Sequence, residues 1–309
     1  MAAIASVRRQ TTPPLETILV VDHNPSLLDR VRAEKDDDIV VVKNRGRQGL
    51  AGARNTGVEE SKGDVIVFLD DDATAEPNWL EALIAPYEDP DVLGVGGWVQ
   101  PSWERARPRW FPEEFDWVVG CSYRGSPPGP CRVRNLIGAS MSLRREVFDA
   151  VGGFREGIGR VGTRPLGCEE TELCIRANRH WPERFFITEP RARVLHTVPP
   201  ERSRWGYFWS RCYAEGLSKA QVASLEGMTS GLASERTHAV SALPRGVARG
   251  ALDTIAGLDP SGLIRGLVIV VGFSVAAAGF VKGTVTGAFR RSSGRDEAGA
   301  ALASSGRKV

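Results

Sequence analysis

Three short apolar runs, Ile18–Val21, Ile39–Val42 and Val65–Leu69, set the main constraint on this chain. None alternates apolar with polar residues, so each reads as a strand covered on both faces. Between them lie "NPSLLDRVRAEK" and "GLAGARNTGVEESKG", segments of helical character, the second closed by Gly63. A third helix is expected in "EPNWLEALIAPYED", with Pro77 in its first turn. Strand and helix alternating three times predict an α/β fold with a doubly wound, mostly parallel sheet, which "LGVGGWVQP" continues. In such sheets ligands bind beyond the carboxyl ends of the strands.

That rule separates the two aspartate triples. Asp36–Asp38 precedes its strand beside Glu34 and Lys35, which suits a solvated turn. Asp70–Asp72 follows "VIVFL" directly, where three carboxylates repel one another unless a cation lies among them. Clustered carboxylate oxygens suit Mg²⁺ or Mn²⁺ held partly by substrate phosphates. A solvated loop with Asp72 capping a helix is the plain alternative. A second acidic group, Glu169, Glu170 and Glu172 in "GCEETEL", opens a predicted helix after the glycine-rich "GIGRVGTRPLG". Acids are ordinary in a first helical turn, so it is the pair of clusters that points to a site.

Other features narrow the class. A net charge of +2 gives no electrostatic footprint for nucleic acid. Cys121, Cys131, Cys168, Cys174 and Cys212 include no CxxC pair, which fits a reducing cytosol better than a disulfide framework or zinc site. "MAAIASVRRQTTPP" lacks the apolar core of a signal peptide, and no P-loop "GxxxxGK[ST]" occurs. Trp103, Trp110, Phe111, Phe115, Trp117 and Tyr123 mark an ordered aromatic loop region across 101–135. "SLRREVFDAVGGF" and "CEETELCIRANRH" read as helices, and "RVLHTVP" as a late strand. Gly266 to Val281 carries no charge, and the apolar helix is placed at about 263–289. It reads as a membrane-spanning or interfacial helix, or as a buried helix of the soluble fold. Gly279, Gly283 and Gly287 repeat at the small-xxx-small spacing of a helix-packing face. The expected division is a catalytic body over 1–225, a helical membrane-associated segment over 226–291, and a disordered tail over 292–309.

"ILVVDHN", "GLAGARNTGVEESKGDVIVFLDDDA", "NLIGASMSLRREVFDAVGGF" and "GCEETELCIRA" occur in the order of a known family. Over Thr17 to Ala220 the chain resembles family 2 glycosyltransferases with the GT-A fold. The resemblance implies an inverting transferase that moves a sugar from a nucleotide-diphosphate donor to a hydroxyl acceptor, with Mn²⁺ or Mg²⁺. "DDD" corresponds to the family's DxD element, with Asp72 on the metal and Asp70, beside Asp71, near the donor. Asp22 corresponds to the acid at the nucleotide base, and Arg54 to an arginine of the donor pocket. Gly138, Ala139 and Ser140 match the small-residue segment beside the donor sugar. Glu170 takes the place of the family's general-base aspartate. Its arm is one methylene longer, which keeps Glu169 as a second candidate. His196 corresponds to a further metal or phosphate contact, and Arg204, Trp205 and Arg211 to phosphate or acceptor contacts.

The family opens with a strand and a helix, and "AIASVRRQTTPP" matches the end of that helix. The first strand is therefore expected to be absent, with the start set at a downstream methionine. The expected setting is the cytoplasmic face of the cell membrane, in envelope polysaccharide or glycolipid synthesis on a lipid-linked acceptor. The alternative is a truncated, non-catalytic protein that binds a nucleotide sugar or a partner.

Overall fold

The structure is a computed structural model that describes residues 2–34, 38–160, 166–227 and 238–305, with side chains as far as 286. Asp36, Asp37, part of the glycine-rich span at 161–165, and residues 228–237 and 306–309 lie outside the described residues. The chain opens with helix α1 (Ala2–Arg8) and strand β1 (Thr17–Val21). Helix α2 (Pro25–Glu34), strand β2 (Ile39–Lys43), helix α3 (Leu50–Glu60) and strand β3 (Val65–Leu69) follow. The three apolar runs are thus strands, with a helix between each pair.

Beyond β3 come β4 (Ala73–Ala75), α4 (Trp79–Ile84) and the long β5 (Val92–Trp103). Pro77 lies just ahead of α4 rather than in its first turn, because a turn in which Trp79 N–H donates to the Glu76 carbonyl precedes the helix. The aromatic loop region then contributes a 3₁₀ segment, Glu113–Val119, and β6 (Cys131–Val133). "SLRREVFDAV" divides in two: β7 (Ser140–Arg144) precedes α5 (Arg145–Val151). A helix throughout was the expectation, but β7 pairs on both edges, and that pairing overrides local propensity. Last come α6 (Glu169–His180), β8 (Phe185–Val198), α7 (Trp205–Glu226), α8 (Leu243–Ile255) and α9 (Gly262–Ser305). Where a disordered tail was expected, α9 continues to Ser305 through an alanine-rich sequence that favours helix.

The main sheet is mixed and runs β3-β7-β5-β8-β4, with β6 also on β8. β5 and β8 are parallel, while β7 is antiparallel to both β3 and β5, so β3, β5 and β8 share one direction. Val67 and Leu69 of β3 pack on one core cluster and Ile66 and Phe68 on another, so both faces of that strand are covered, whereas β2 leaves Val40 45% exposed and is not covered on both faces as expected. β1 and β2 form a separate parallel pair. Among the described residues no strand pairs with the other edge of β1 or of β3, and both strands line one cavity.

The C-terminal helices join the core instead of hanging from it. Leu243, Val268, Ile269 and Val275 belong to the same buried cluster as Phe111, Phe115 and Phe208. Helices α7 and α9 approach closely because glycines face backbone: a Cβ on Gly216 would lie 2.0 Å from the Ala276 carbonyl oxygen, and one on Gly279 2.2 Å from that of Tyr213. The small-residue spacing of α9 therefore serves packing within the chain at Gly279 and Gly283; the side-chain surroundings of Gly287 are not described. Gly216→Ala should lower stability by about 1–3 kcal/mol, since backbone cannot rotate away as a side chain can. A urea titration of the variant beside the parent checks this. An unchanged midpoint would mean the two helices separate freely.

Candidate active site

The turn after β3 is built by strand register. Ala73 N–H donates to the Asp70 carbonyl at 3.0 Å, and Ala73 then pairs with His196 of β8. That register brings His196 Nε2 to 3.1 Å from Asp72 Oδ1, while Arg202 Nη2 lies 3.2 Å from Asp72 Oδ2. Burial pushes the Asp72 carboxyl up, but the hydrogen bond and charge of His196 and the charge of Arg202 outweigh it and lower it below its ordinary value. Asp71 moves the other way, raised by burial and by the charges of Asp72 and Asp70. One ligand atom each from Asp70, Asp72 and His196 lie within 4.8 Å of one another. Two carboxylates and an imidazole fit Mn²⁺ or Mg²⁺, with room left in the cavity for substrate oxygens.

Arg54 joins the two acidic clusters. It is buried on α3, and its Nη1 donates to Glu169 Oε1 at 3.0 Å. Its Nη2 donates to Asp70 Oδ1 at 3.2 Å and to the Gly138 carbonyl at 3.0 Å. Burial disfavours the guanidinium charge, but Asp70, Glu169 and Glu170 together more than offset it. A Cβ on Gly138 would sit 2.6 Å from Arg54 Nη2, so the small residue there makes room for the arginine.

Glu169 and Glu170 open α6 directly after Cys168, whose φ of 76° is left-handed and strained for a residue with a side chain. Glu169 is held by Arg54, leaving its Oε2 buried without a hydrogen-bond partner. Glu170 lines the cavity, and burial together with the Glu169 charge pushes its carboxyl up to about 8, with partial relief from Arg54. One neighbour is thus held in an ion pair, and the other is a carboxyl poised to exchange a proton near neutrality.

The structure brings most of the remaining sequence candidates to the same place. Asp22, at the end of β1, accepts from Asn44 Nδ2 at 2.6 Å and from Gly49 N–H at 2.9 Å, and it borders the cavity with Gly138 and Ala139. Ser140 is fully buried and accepts from Trp79 Nε1 at 2.9 Å, outside the cavity lining. Arg204 and Trp205 also lie outside it: Trp205 stacks on Phe208, and Arg204 is exposed at the start of α7. Arg211 does line the cavity. Sequence reading missed Arg202, two residues from Arg204, because only the chain's path after β8 decides which arginine turns inward. It also missed Asn44, which orients Asp22, and Lys219 on the inward face of α7.

Apart from Asn44, Ser140, Arg204 and Trp205, these groups share one cavity of about 1760 Å³. It exceeds a typical small-ligand pocket because it takes in the gap between β1 and β3 and reaches as far as α7 and α9.

A mixed α/β sheet with acidic side chains at the carboxyl end of β3 is the architecture of GT-A glycosyltransferases. The fold matches the mannosyltransferase of Pyrobaculum calidifontis, solved with GDP-Man and Mn²⁺, over 90% of this chain and 81% of that one. The TM-score is 0.52 at 18% identity. The sequence profile of glycosyl transferase family 2 matches residues 2–152. A glucosyl-dolichyl phosphate glucuronosyltransferase of Haloferax volcanii is 40% identical over 219 residues, which cover 70% of each chain. The succinoglycan biosynthesis protein ExoM of Rhizobium meliloti is 26% identical over 81% of this chain and 82% of its own length. The chain belongs to glycosyltransferase family 2.

Proposed function

We propose that this glycosyltransferase moves a sugar, with inversion, from a nucleotide-diphosphate donor to a hydroxyl of a lipid-linked acceptor at the cytoplasmic face of the cell membrane. The observation that carries the reading is the joining of the two acidic clusters by Arg54, which puts Asp70, Glu169 and Glu170 in one cavity. Asp70, Asp72 and His196 would hold the divalent cation, which when bound would supply positive charge to offset that of the diphosphate leaving group. Arg202 adds positive charge beside Asp72. Asp22, Arg54, Gly138 and Ala139 would position the donor.

Glu170 acts as general base. Its carboxylate takes the acceptor hydroxyl proton as that oxygen bonds to the anomeric carbon, and the bond from that carbon to the phosphate oxygen breaks on the opposite face. The nucleoside diphosphate departs with the bonding electrons. One displacement inverts the configuration, and no covalent sugar–enzyme species forms. Arg54 keeps Glu169 paired, so the two neighbouring glutamates take different roles.

The lipid-linked acceptor is supported by the name of the Haloferax relative and by the long apolar helix, Gly262–Thr286, beside the cavity. Envelope polysaccharide or glycolipid synthesis is the corresponding setting, in keeping with the succinoglycan relative. The free cysteines suit the reducing side of the membrane. The test is transfer from UDP-, GDP- and dTDP-sugars, with Mn²⁺, into lipid extract, with the anomeric configuration of the product read by NMR. A glycolipid of inverted configuration is expected. Retention of configuration would overturn the mechanism, and the absence of a lipid product with any donor would overturn the acceptor class.

A further inference from the structure

Arg54 meets the two acidic clusters through the edges of its guanidinium, and the flat faces of that group are held separately. Its central carbon lies 5.9 Å from the ring centroid of Phe68 and 5.6 Å from that of Phe154. The two rings meet edge to face at 5.5 Å, so they form a corner around the cation. Phe68 belongs to β3, two residues before Asp70, and Phe154 is 2% exposed in the segment after α5. Phe154 does not line the cavity, and no step above uses it.

The backbone of Phe154 is held as closely as its ring. Asn55 follows Arg54 in α3; its Oδ1 accepts from the Phe154 N–H at 2.7 Å, and its Nδ2 donates to the Phe154 carbonyl at 2.8 Å. A side chain thereby copies one rung of a strand ladder. Gly153 makes room for it, since a Cβ there would lie 2.4 Å from Asn55 Oδ1. From the other side Arg176 of α6 donates to the Gly153 carbonyl at 2.7 Å and pairs twice with the fully buried Glu172. Helices α3 and α6 thus grip one turn between them, and they are the helices that carry Arg54 and Glu169.

The chemistry explains why rings cover the guanidinium. Hydrogen bonds to Glu169, Asp70 and the Gly138 carbonyl use its edges and leave its faces to be filled. A ring face offers negative electrostatic potential to a buried cation without drawing away the N–H groups that the carboxylates need. An aliphatic side chain would fill the space and supply no such potential.

We propose that Phe154, held by Asn55, is a positioning residue for sugar transfer: its ring fixes the Arg54 guanidinium in the plane that meets both Asp70 and Glu169. The inference rests on the transferase reading of the cavity and adds two residues that lie outside it.

The experiment is a double-mutant cycle of Phe154→Leu with Arg54→Lys in the full chain, read as kcat and KM for transfer from the nucleotide-sugar series into lipid extract. Against the parent, Phe154→Leu should lower kcat/KM about tenfold, chiefly through kcat, as a small misplacement near the reacting groups does. Lysine has no plane to fix, so in the Arg54→Lys background the same substitution should cost less than about twofold. If Phe154→Leu fails to fold, Asn55→Ala, which leaves the ring and frees its backbone, takes its place in the cycle with the same expectation. An equal cost in both backgrounds would mark Phe154 as structural only and overturn the proposal. NMR of the arginine side-chain N–H groups, without any ligand, gives the second reading. The signals lost in Arg54→Lys should be resolved in the parent and averaged by rotation in Phe154→Leu. Unchanged signals in a folded Phe154→Leu beside an active parent would sink this inference and leave the proposed function intact. Averaged signals beside a parent that transfers no sugar would do the reverse.

Discussion

Asp72→Ala is expected to abolish metal-dependent nucleotide binding and to lower sugar transfer by at least about 100-fold. That is the upper end of what loss of a metal's outer-sphere partner does, and a direct ligand should matter no less. Asp72 would supply one of the three ligand atoms and is paired with both His196 and Arg202. Without it two cation-capable side chains face each other where the carboxylate stood. The fold should survive, because the backbone bond from Thr197 N–H to the Asp72 carbonyl, 2.8 Å, does not involve the side chain. The measurement is thermal unfolding with UDP, GDP or dTDP, each with and without Mn²⁺. The parent should gain several degrees with one nucleotide only when the metal is present, by mass action on the folded state. A variant that kept this gain would move the metal away from Asp72.

Glu170→Gln should act on chemistry and not on donor binding. General-base catalysis contributes about 10²–10⁴-fold, and transfer should fall by that factor while the nucleotide shift stays. The pH dependence gives a second reading. With the Glu170 carboxyl pushed up to about 8, kcat/KM of the parent should climb roughly tenfold per pH unit below that value, as the basic form populates. The variant should be flat over the same range.

Stability runs the other way. The folded state keeps the Glu170 proton up to about 8, whereas the unfolded chain loses it near ~4.3, the ordinary glutamate value. The native state therefore binds more protons between those values, and the parent loses stability as pH rises through them. Glu170→Gln lacks that loss, so its Tm relative to the parent should increase from pH 5 to pH 8. Equal pH slopes of Tm would show that Glu170 ionises in the fold as it does in water.

Much of the site was legible because its chemistry is local. Asp70–Asp72 directly follow an apolar strand, and Glu169–Glu170 open a helix, so sequence order alone places both at element ends. The arginine in "GARN" was identified through family resemblance; the structure adds that it holds one carboxylate from each cluster. What was not legible depends on register. Arg202, not Arg204, meets Asp72, and Ser140 is spent on Trp79. The helix read into "SLRREVFDAV" begins as a strand, because paired neighbours on both edges outweigh the propensity of a short segment.

The sequence by itself determined the α/β order, the two acidic clusters and their family, since strand ends, helix starts and residue chemistry are encoded within a few residues. Tertiary structure alone set the two glutamates apart: both line the cavity, and Arg54, more than a hundred positions away in the chain, pairs with Glu169. It alone decided that the apolar C-terminal helix packs on α7 through glycine–backbone contacts and lines the cavity wall. It also left one edge of β1 and one edge of β3 without a paired strand among the described residues. Each of these depends on contacts between segments distant in the chain, and no local pattern of residues fixes such contacts.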